Sequence, residues 1–382
     1  MENMELVTPS HGQLFDTFIM YGIIRSISES EQQEKYMEKI RIKPEGEYYI
    51  VQLDRQFEDN IKKEFFKNLY QAFNREYEVA HEKSSLVAAL QGEKKLFEEI
   101  KRFLEEVKSL GQTLDISKLY GSLSQWKEWR SNKCGLHKKM IKTSYLKDHT
   151  VQLSLSPQLG KYLYKSNEGI KTEQQKACSM CTSLALLGIL SYSIRMRLKG
   201  RSGWQFATFL PTKETSAKEL SYFRLVFGKE EKLIVQPLFS EKIPELIIPL
   251  LLLKDTDIAV LEIMQVSLPI LFTYRFDPTG KGGVFAVRKV SEYPASKFID
   301  FYLHVRKLAS NEDIRFLNYM KNPEYSPYFS ELALSILTDD VVRFYNFLRG
   351  FATETARRIG KPAFFSQAFV EQALHFFESK NI

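Results

Sequence analysis

The stretch Asn132-Lys-Cys134-Gly-Leu-His137-Lys-Lys-Met140 has a counterpart in Lys176-Ala-Cys178-Ser-Met-Cys181-Thr-Ser-Leu-Ala-Leu-Leu-Gly188, and between them the two hold all three cysteines of the chain. Cys134-x-x-His137 and Cys178-x-x-Cys181 form a Cys₃His set. Ligands spaced in this way reach one ion from a tight turn or from the first turn of a helix, and two such pairs complete a tetrahedron. Thiolate and imidazole ligands suit zinc. Two other readings stay open: a redox dithiol at Cys178 and Cys181, and buried cysteines that fall into this pattern by accident. The dithiol leaves the first half-motif unexplained and lacks a βαβ context. Accident has to explain why the whole cysteine supply gathers here.

Four protein ligands leave no open coordination position, so the expected Zn²⁺ is structural. It would cross-link the basic segment 130–147 to a helix expected from Cys178 to about Leu198, and bring two cationic groups near each other. The first comprises Lys133, Lys138, Lys139 and Lys142, and the second Arg195, Arg197, Lys199 and Arg201. Both are candidates for contact with nucleic-acid phosphates, which Lys and Arg neutralise.

Working outward, Leu14, Phe18, Tyr21, Gly22 and Ile24 recur at helical spacing and predict a buried helix from Gly12 to about Ser28. Residues 47–53 alternate as a strand, and 58–82 and 93–110 read as long amphipathic helices with Lys- and Glu-rich outer faces. Between 203 and 290, β-rich runs at Trp204–Leu210, Tyr222–Phe227, Leu233–Phe239, Ile258–Val266 and Val284–Val290 predict a mixed sheet. From Ser296 onward, segments 296–309, 311–321, 328–337, 338–358 and 364–379 predict an antiparallel helical bundle. The fold class is α+β, with a helix-rich region at 1–130, a zinc-containing α/β core with a mixed sheet at 131–292 and the bundle at 293–382.

With 382 residues, 44% hydrophobic and 13% aromatic, the chain is long enough for two or three folded domains. Lys plus Arg number 54 against 47 acidic residues, a formal excess of +7 that leans towards polyanionic partners. Three cysteines in so long a chain exclude a disulfide-built scaffold, and an odd count leaves at least one unpaired. Met1 to Ser10 is polar and acidic and does not read as a secretory signal. The most apolar run, Ile243 to Leu253, is broken by Pro244 and Pro249 and falls short of the roughly 20 residues that span a bilayer. A cytoplasmic protein without a membrane partner is expected.

No catalytic constellation emerges. Gly280-Lys-Gly-Gly283 lacks the Walker pattern and precedes a strand, which favours a hairpin turn. His11, His81, His149, His304 and His375 are scattered without an acidic partner at telling spacing. Asp255 with Asp257, and Asp339 with Asp340, fit a turn and a helix N-terminus better than a magnesium site. The expectation is a protein that is not an enzyme. The rivals are a metal-dependent nuclease using Asp255 and Asp257, and a scaffold that binds only protein.

Three stretches, in order along the chain, resemble the large subunit of type I CRISPR interference (Cascade) complexes, most closely the archaeal type I-A branch. They are the helix Leu14-Phe-Asp16-Thr-Phe18-Ile-Met-Tyr21-Gly22-Ile-Ile24, the split metal set ending in Gly188, and Leu332-Ala-Leu-Ser-Ile-Leu-Thr-Asp339-Asp340-Val-Val-Arg343-Phe-Tyr-Asn-Phe-Leu348. The resemblance implies a subunit that joins backbone and small subunits at the foot of a guide-RNA complex. It implies binding near the guide's 5′ end, recognition of a short motif beside the target DNA, and a bundle that helps hold the displaced strand. Cleavage is then left to a separate helicase-nuclease. The motif-reading residues do not carry over position by position.

Overall fold

In a computed structural model, the described residues are 4–29, 37–82, 94–111, 113–121, 134–150, 176–199, 204–227, 239–240, 244–278 and 285–380. Lys133, Arg201, the Gly280–Gly283 turn and most of the 233–239 run lie outside them.

Strand β1 (Met4–Val7) leads into helix α1 (Gln13–Ile27), and strands β2 (Arg41–Glu45) and β3 (Tyr48–Leu53) follow as a hairpin. Helices α2 (Glu58–Glu82) and α3 (Lys94–Leu110) match the two amphipathic segments and precede the short α4 (Ile116–Tyr120). Helix α5 (Gly135–Met140), strands β4 (Asp148–Thr150) and β5 (Lys176–Cys178), and helix α6 (Ser179–Tyr192) carry the cysteines.

Every residue of α6 and all of α1 but Gln13 is buried, as helices without a polar face must be. They meet backbone to backbone. A Cβ on Gly22 would lie 2.1 Å from the Leu184 carbonyl oxygen, and one on Gly188 would lie 2.0 Å from that of Phe18. His11 before α1 reaches Cys134 Sγ, which lies beside Cys181 in the first turn of α6, while Tyr21 and Tyr192 meet towards the other ends, so the two helices run side by side in the same direction. Further along, Tyr21 stacks on Tyr192 at 4.2 Å and its hydroxyl donates to the Phe209 carbonyl at 2.6 Å.

The chain then enters the main sheet through β6 (Ser193–Lys199) and β7 (Trp204–Leu210). The helix expected to reach Leu198 therefore ends at Tyr192. Ser-Ile-Arg-Met-Arg-Leu-Lys alternates apolar with basic residues, a period of two, and pairs antiparallel with β7 from Ser193↔Thr208 to Arg197↔Trp204. Strand β8 (Thr215–Ser216) extends the N-terminal sheet to the order β1-β3-β2-β8.

Two more expected strands are helical. Ser216 and Glu219 form a reciprocal capping box that starts α7 (Ala217–Ser221), and α8 (Phe223–Val226) follows it where the Tyr222–Phe227 strand was expected. Strand β9 (Phe239–Ser240) adds parallel to β6. Pro249 sits in the first turn of α9 (Ile248–Leu253), where its missing N–H costs nothing. The Ile258–Val266 run is helix α10 because Asp257 accepts the Ala259 N–H and caps it. Strands β10 (Ile270–Pro278) and β11 (Phe285–Pro294) complete the sheet β11-β10-β7-β6-β9, mixed through its parallel β6/β9 pair. The protein is α+β.

Helices α11 (Ala295–Val305), α12 (Asn311–Leu317), α13 (Ser326–Thr338), α14 (Val341–Ile359) and α15 (Gln367–Glu378) follow the expected C-terminal pattern. The Phe351 ring lies within 6 Å of those of Phe316, Phe329 and Phe365. Asp313 caps α12 in a box with Ser310 and accepts both the amide (2.7 Å) and the hydroxyl (2.6 Å) of Ser366, which caps α15. One buried cluster runs from Met4 to Phe377.

Gly188→Ala is expected to cost about 3 kcal/mol, because the added methyl meets a carbonyl of α1 rather than a side chain that can turn aside. Urea midpoints test this, and an unchanged midpoint would contradict the close approach. Asp313→Ala is expected to cost about 2 kcal/mol at neutral pH. Burial alone would raise the Asp313 pKa, but the hydrogen bonds from Ser366 and Ser310 hold it below its ordinary 3.8. That contribution is present above the ordinary value and is lost as the pH falls below it. The stability gap between variant and wild type should therefore narrow in acid, and a gap that widens there would rule out the carboxylate as its source.

Candidate metal centre

The two half-sites use one device. Cys134 is the N-cap of α5 with His137 three residues on, and Cys178 is the N-cap of α6 with Cys181 three residues on. N-cap and N3 side chains face each other across the first turn, which is why a capping box works. Neither cysteine caps its helix through its side chain, so both sulfurs are turned to the shared centre.

Strand pairing joins the halves. β4 and β5 run antiparallel, with Asp148↔Cys178 and His149↔Ala177 in register. Ser179 locks the join: its hydroxyl donates to the Tyr145 carbonyl at 2.9 Å, accepts the Lys147 N–H at 2.9 Å, and lies 3.0 Å from His149 Nε2. This buried hydroxyl latches the two halves together.

The four ligand atoms all lie within 4.8 Å of one another, and all four residues are buried. His137 Nδ1 is 3.2 Å from Cys178 Sγ and 3.4 Å from Cys181 Sγ, and Cys134 Sγ is 3.9 Å from Cys181 Sγ. A tetrahedral ion with bonds of about 2.3 Å to sulfur and about 2.0 Å to nitrogen sets its ligands about 3.8 Å (S···S) and about 3.5 Å (S···N) apart. The residues fit such an ion.

The second layer fixes the chemistry of the first. His137 Nε2 lies 2.9 Å from the Leu119 carbonyl on α4. A carbonyl only accepts, so Nε2 carries a proton and Nδ1 is the nitrogen turned to the sulfurs, free to ligate once its own proton is displaced. The Tyr120 hydroxyl reaches Cys181 Sγ at 3.9 Å, and the Cys178 amide donates to Cys134 Sγ at 3.3 Å. Burial would lower the His137 pKa, but the Cys178 thiolate outweighs it and pushes the value up to about 10. Hydrogen bonds from Cys178 and Cys181 lower that of Cys134, and burial pushes Cys181 up. The centre thus holds protons among its sulfurs and imidazole that a divalent cation would displace. Full burial also closes the dithiol off from an exchange partner, which disfavours the redox reading.

The structure brings Cys134, His137, Cys178 and Cys181 together, and adds two histidines that read as scattered in the sequence. His149 holds Ser179, and His11 Nε2 lies 3.4 Å from Cys134 Sγ. No sequence spacing signals either, because both arrive through tertiary packing.

The basic candidates are placed differently from expectation. Lys138 pairs with Asp148 at 2.7 Å, Lys139 is exposed, and exposed Lys142 lines a groove of about 570 Å³ with Ile141, Thr143 and Leu146. Arg195, Arg197 and Lys199 occupy alternate positions of β6, beyond the far end of α6. A helix of 14 residues is about 21 Å long, so an ion at its N-terminus does not bring the two groups together, contrary to the sequence expectation.

The acid pairs make local capping and ion-pair contacts. Asp257 caps α10, Asp255 accepts Lys254 Nζ at 2.6 Å, Asp340 caps α14, and Asp339, left-handed at φ 54° behind α13, accepts Lys297 Nζ at 2.6 Å. Among the described residues, no further histidine, cysteine or carboxylate joins Asp255 and Asp257 in a metal-sized group.

The profile of the CRISPR-associated protein family Cas_Csa4 matches residues 4–361, a span that takes in the whole metal centre. The chain belongs to this family. A search of curated proteins finds no significant match. Among the described residues of this CRISPR-associated protein, no helix is long and apolar enough to cross a membrane.

Elemental analysis should find one metal ion per chain at neutral pH. Because binding displaces ligand protons, affinity falls as the pH falls, and the ion should leave in acid. Cys178→Ser should lose it and melt at lower temperature. A metal-free chain whose melting ignores chelator would refute the centre.

Proposed function

We propose that this CRISPR-associated protein is the non-catalytic large subunit of a type I-A RNA-guided surveillance complex, with zinc as a structural ion. In this reading it contacts guide RNA and target DNA, takes part in recognising the target-adjacent motif and in holding the displaced strand, and leaves cutting to a helicase-nuclease. Its protein partners are the backbone and small subunits. The observation that carries the reading is the family match over 4–361.

Physical features support it. Zinc suits three thiolates and one imidazole, and a closed four-ligand set has no position for a substrate or an attacking water. The formal excess of +7 favours polyanions. Exposed Lys139 and Lys142 beside the centre, and the basic positions of β6, are where phosphates would be neutralised.

Affinity purification from the native host, with mass spectrometry and sequencing of bound RNA, tests the assignment. Repeat-derived guide RNA together with a multi-copy backbone subunit is the expected yield. A chain recovered alone and free of RNA at low salt overturns it.

A further inference from the structure

We propose that His11 belongs to the metal centre as the N–H donor that holds the Cys134 thiolate, so that the ion fastens the N-terminal turn of the chain as well as its two cysteine segments. The inference rests on the reading of the Cys₃His set as a metal site.

The geometry is specific. His11 is 2% exposed, and its Nε2 lies 3.4 Å from Cys134 Sγ, the same sulfur that accepts the Cys178 amide at 3.3 Å. Its ring packs edge-on against Phe15 at 5.3 Å. The turn that presents it is held in an unfavourable shape. Ser10 is left-handed at φ 59°, and the buried Asp16 carboxylate clamps both sides of His11 by accepting the Ser10 amide at 2.8 Å and the Gly12 amide at 3.1 Å. A serine stays in that region only where its surroundings over-determine it. Here they aim one imidazole at one sulfur.

Charge supplies the reason. Three thiolates, a neutral imidazole and a divalent cation leave one net negative charge, and all four ligands are buried. A buried anion is costly unless hydrogen-bond donors surround it. The Tyr120 hydroxyl serves Cys181, while the Cys178 amide and His11 serve Cys134. Outer donors of this kind set metal affinity without touching the metal.

Two variants of the full chain separate hydrogen bonding from packing. His11→Phe keeps a ring against Phe15 and removes the donor, whereas His11→Gln keeps a donor and removes the ring. Zinc affinity is read by competition with a chelator, and the sulfur environment by the thiolate-to-cobalt charge-transfer band of the Co²⁺-loaded protein. His11→Phe should weaken zinc by about 10-fold or more and shift the band, with His11→Gln close to wild type. A His11→Phe protein indistinguishable from a metal-binding wild type overturns this inference alone, and a His11→Gln protein as weak as His11→Phe overturns the donor role. A wild type that takes up neither zinc nor cobalt overturns the metal reading itself.

Discussion

The contact on which this fold depends is the meeting of two bare backbones. At Gly22 and Gly188, α1 and α6 approach so closely that neither has room for a Cβ. Helices this near bury both partners completely, which explains why two apolar helices so distant in sequence form the centre of the molecule. The sheets and the outer helices α2 and α3 are arranged around that pair. Tyr21 reaches past it to the Phe209 carbonyl and so anchors the pair to β7.

Because the pair runs in one direction, both helix N-termini lie at the same end, and the Cys/His centre sits there. Helix N-termini favour negative charge, and so does a cation. A cluster of buried thiolates needs both. The centre therefore lies where the local field lowers the cost of ionised sulfur, and the N-cap and N3 positions of α5 and α6 turn the ligands inward without distorting either helix.

Much of this was legible in the sequence, for definable reasons. Long helices with one clear period, such as α2, α3 and α14, were read to within a few residues, and the split cysteine motif was read because ligand spacing follows helix geometry. Failures came where a short apolar run fits two periods. Ile258–Val266 is β-branched enough for a strand, and only the Asp257 cap decides for a helix. Ser193–Lys199 carried a period of two that was masked by its continuity with an apolar helix. His11 and His149 were beyond reach, since their roles come from contacts with residues far along the chain.

The position of the ion also constrains what the basic residues can do together. Lys142 lies near one end of α6 and β6 begins at the other, about 20 Å away by helix rise. That length corresponds to roughly six base steps at about 3.4 Å per step along a strand. A single phosphate cannot touch both groups, and neither can a small anion. A ligand that used both would have to be extended and repetitively charged, and it would have to run over the surface outside the buried α1–α6 pair. The rigidity of that buried pair, set by Gly22 and Gly188 and fastened at one end by the Cys/His centre, keeps the two groups at a fixed spacing.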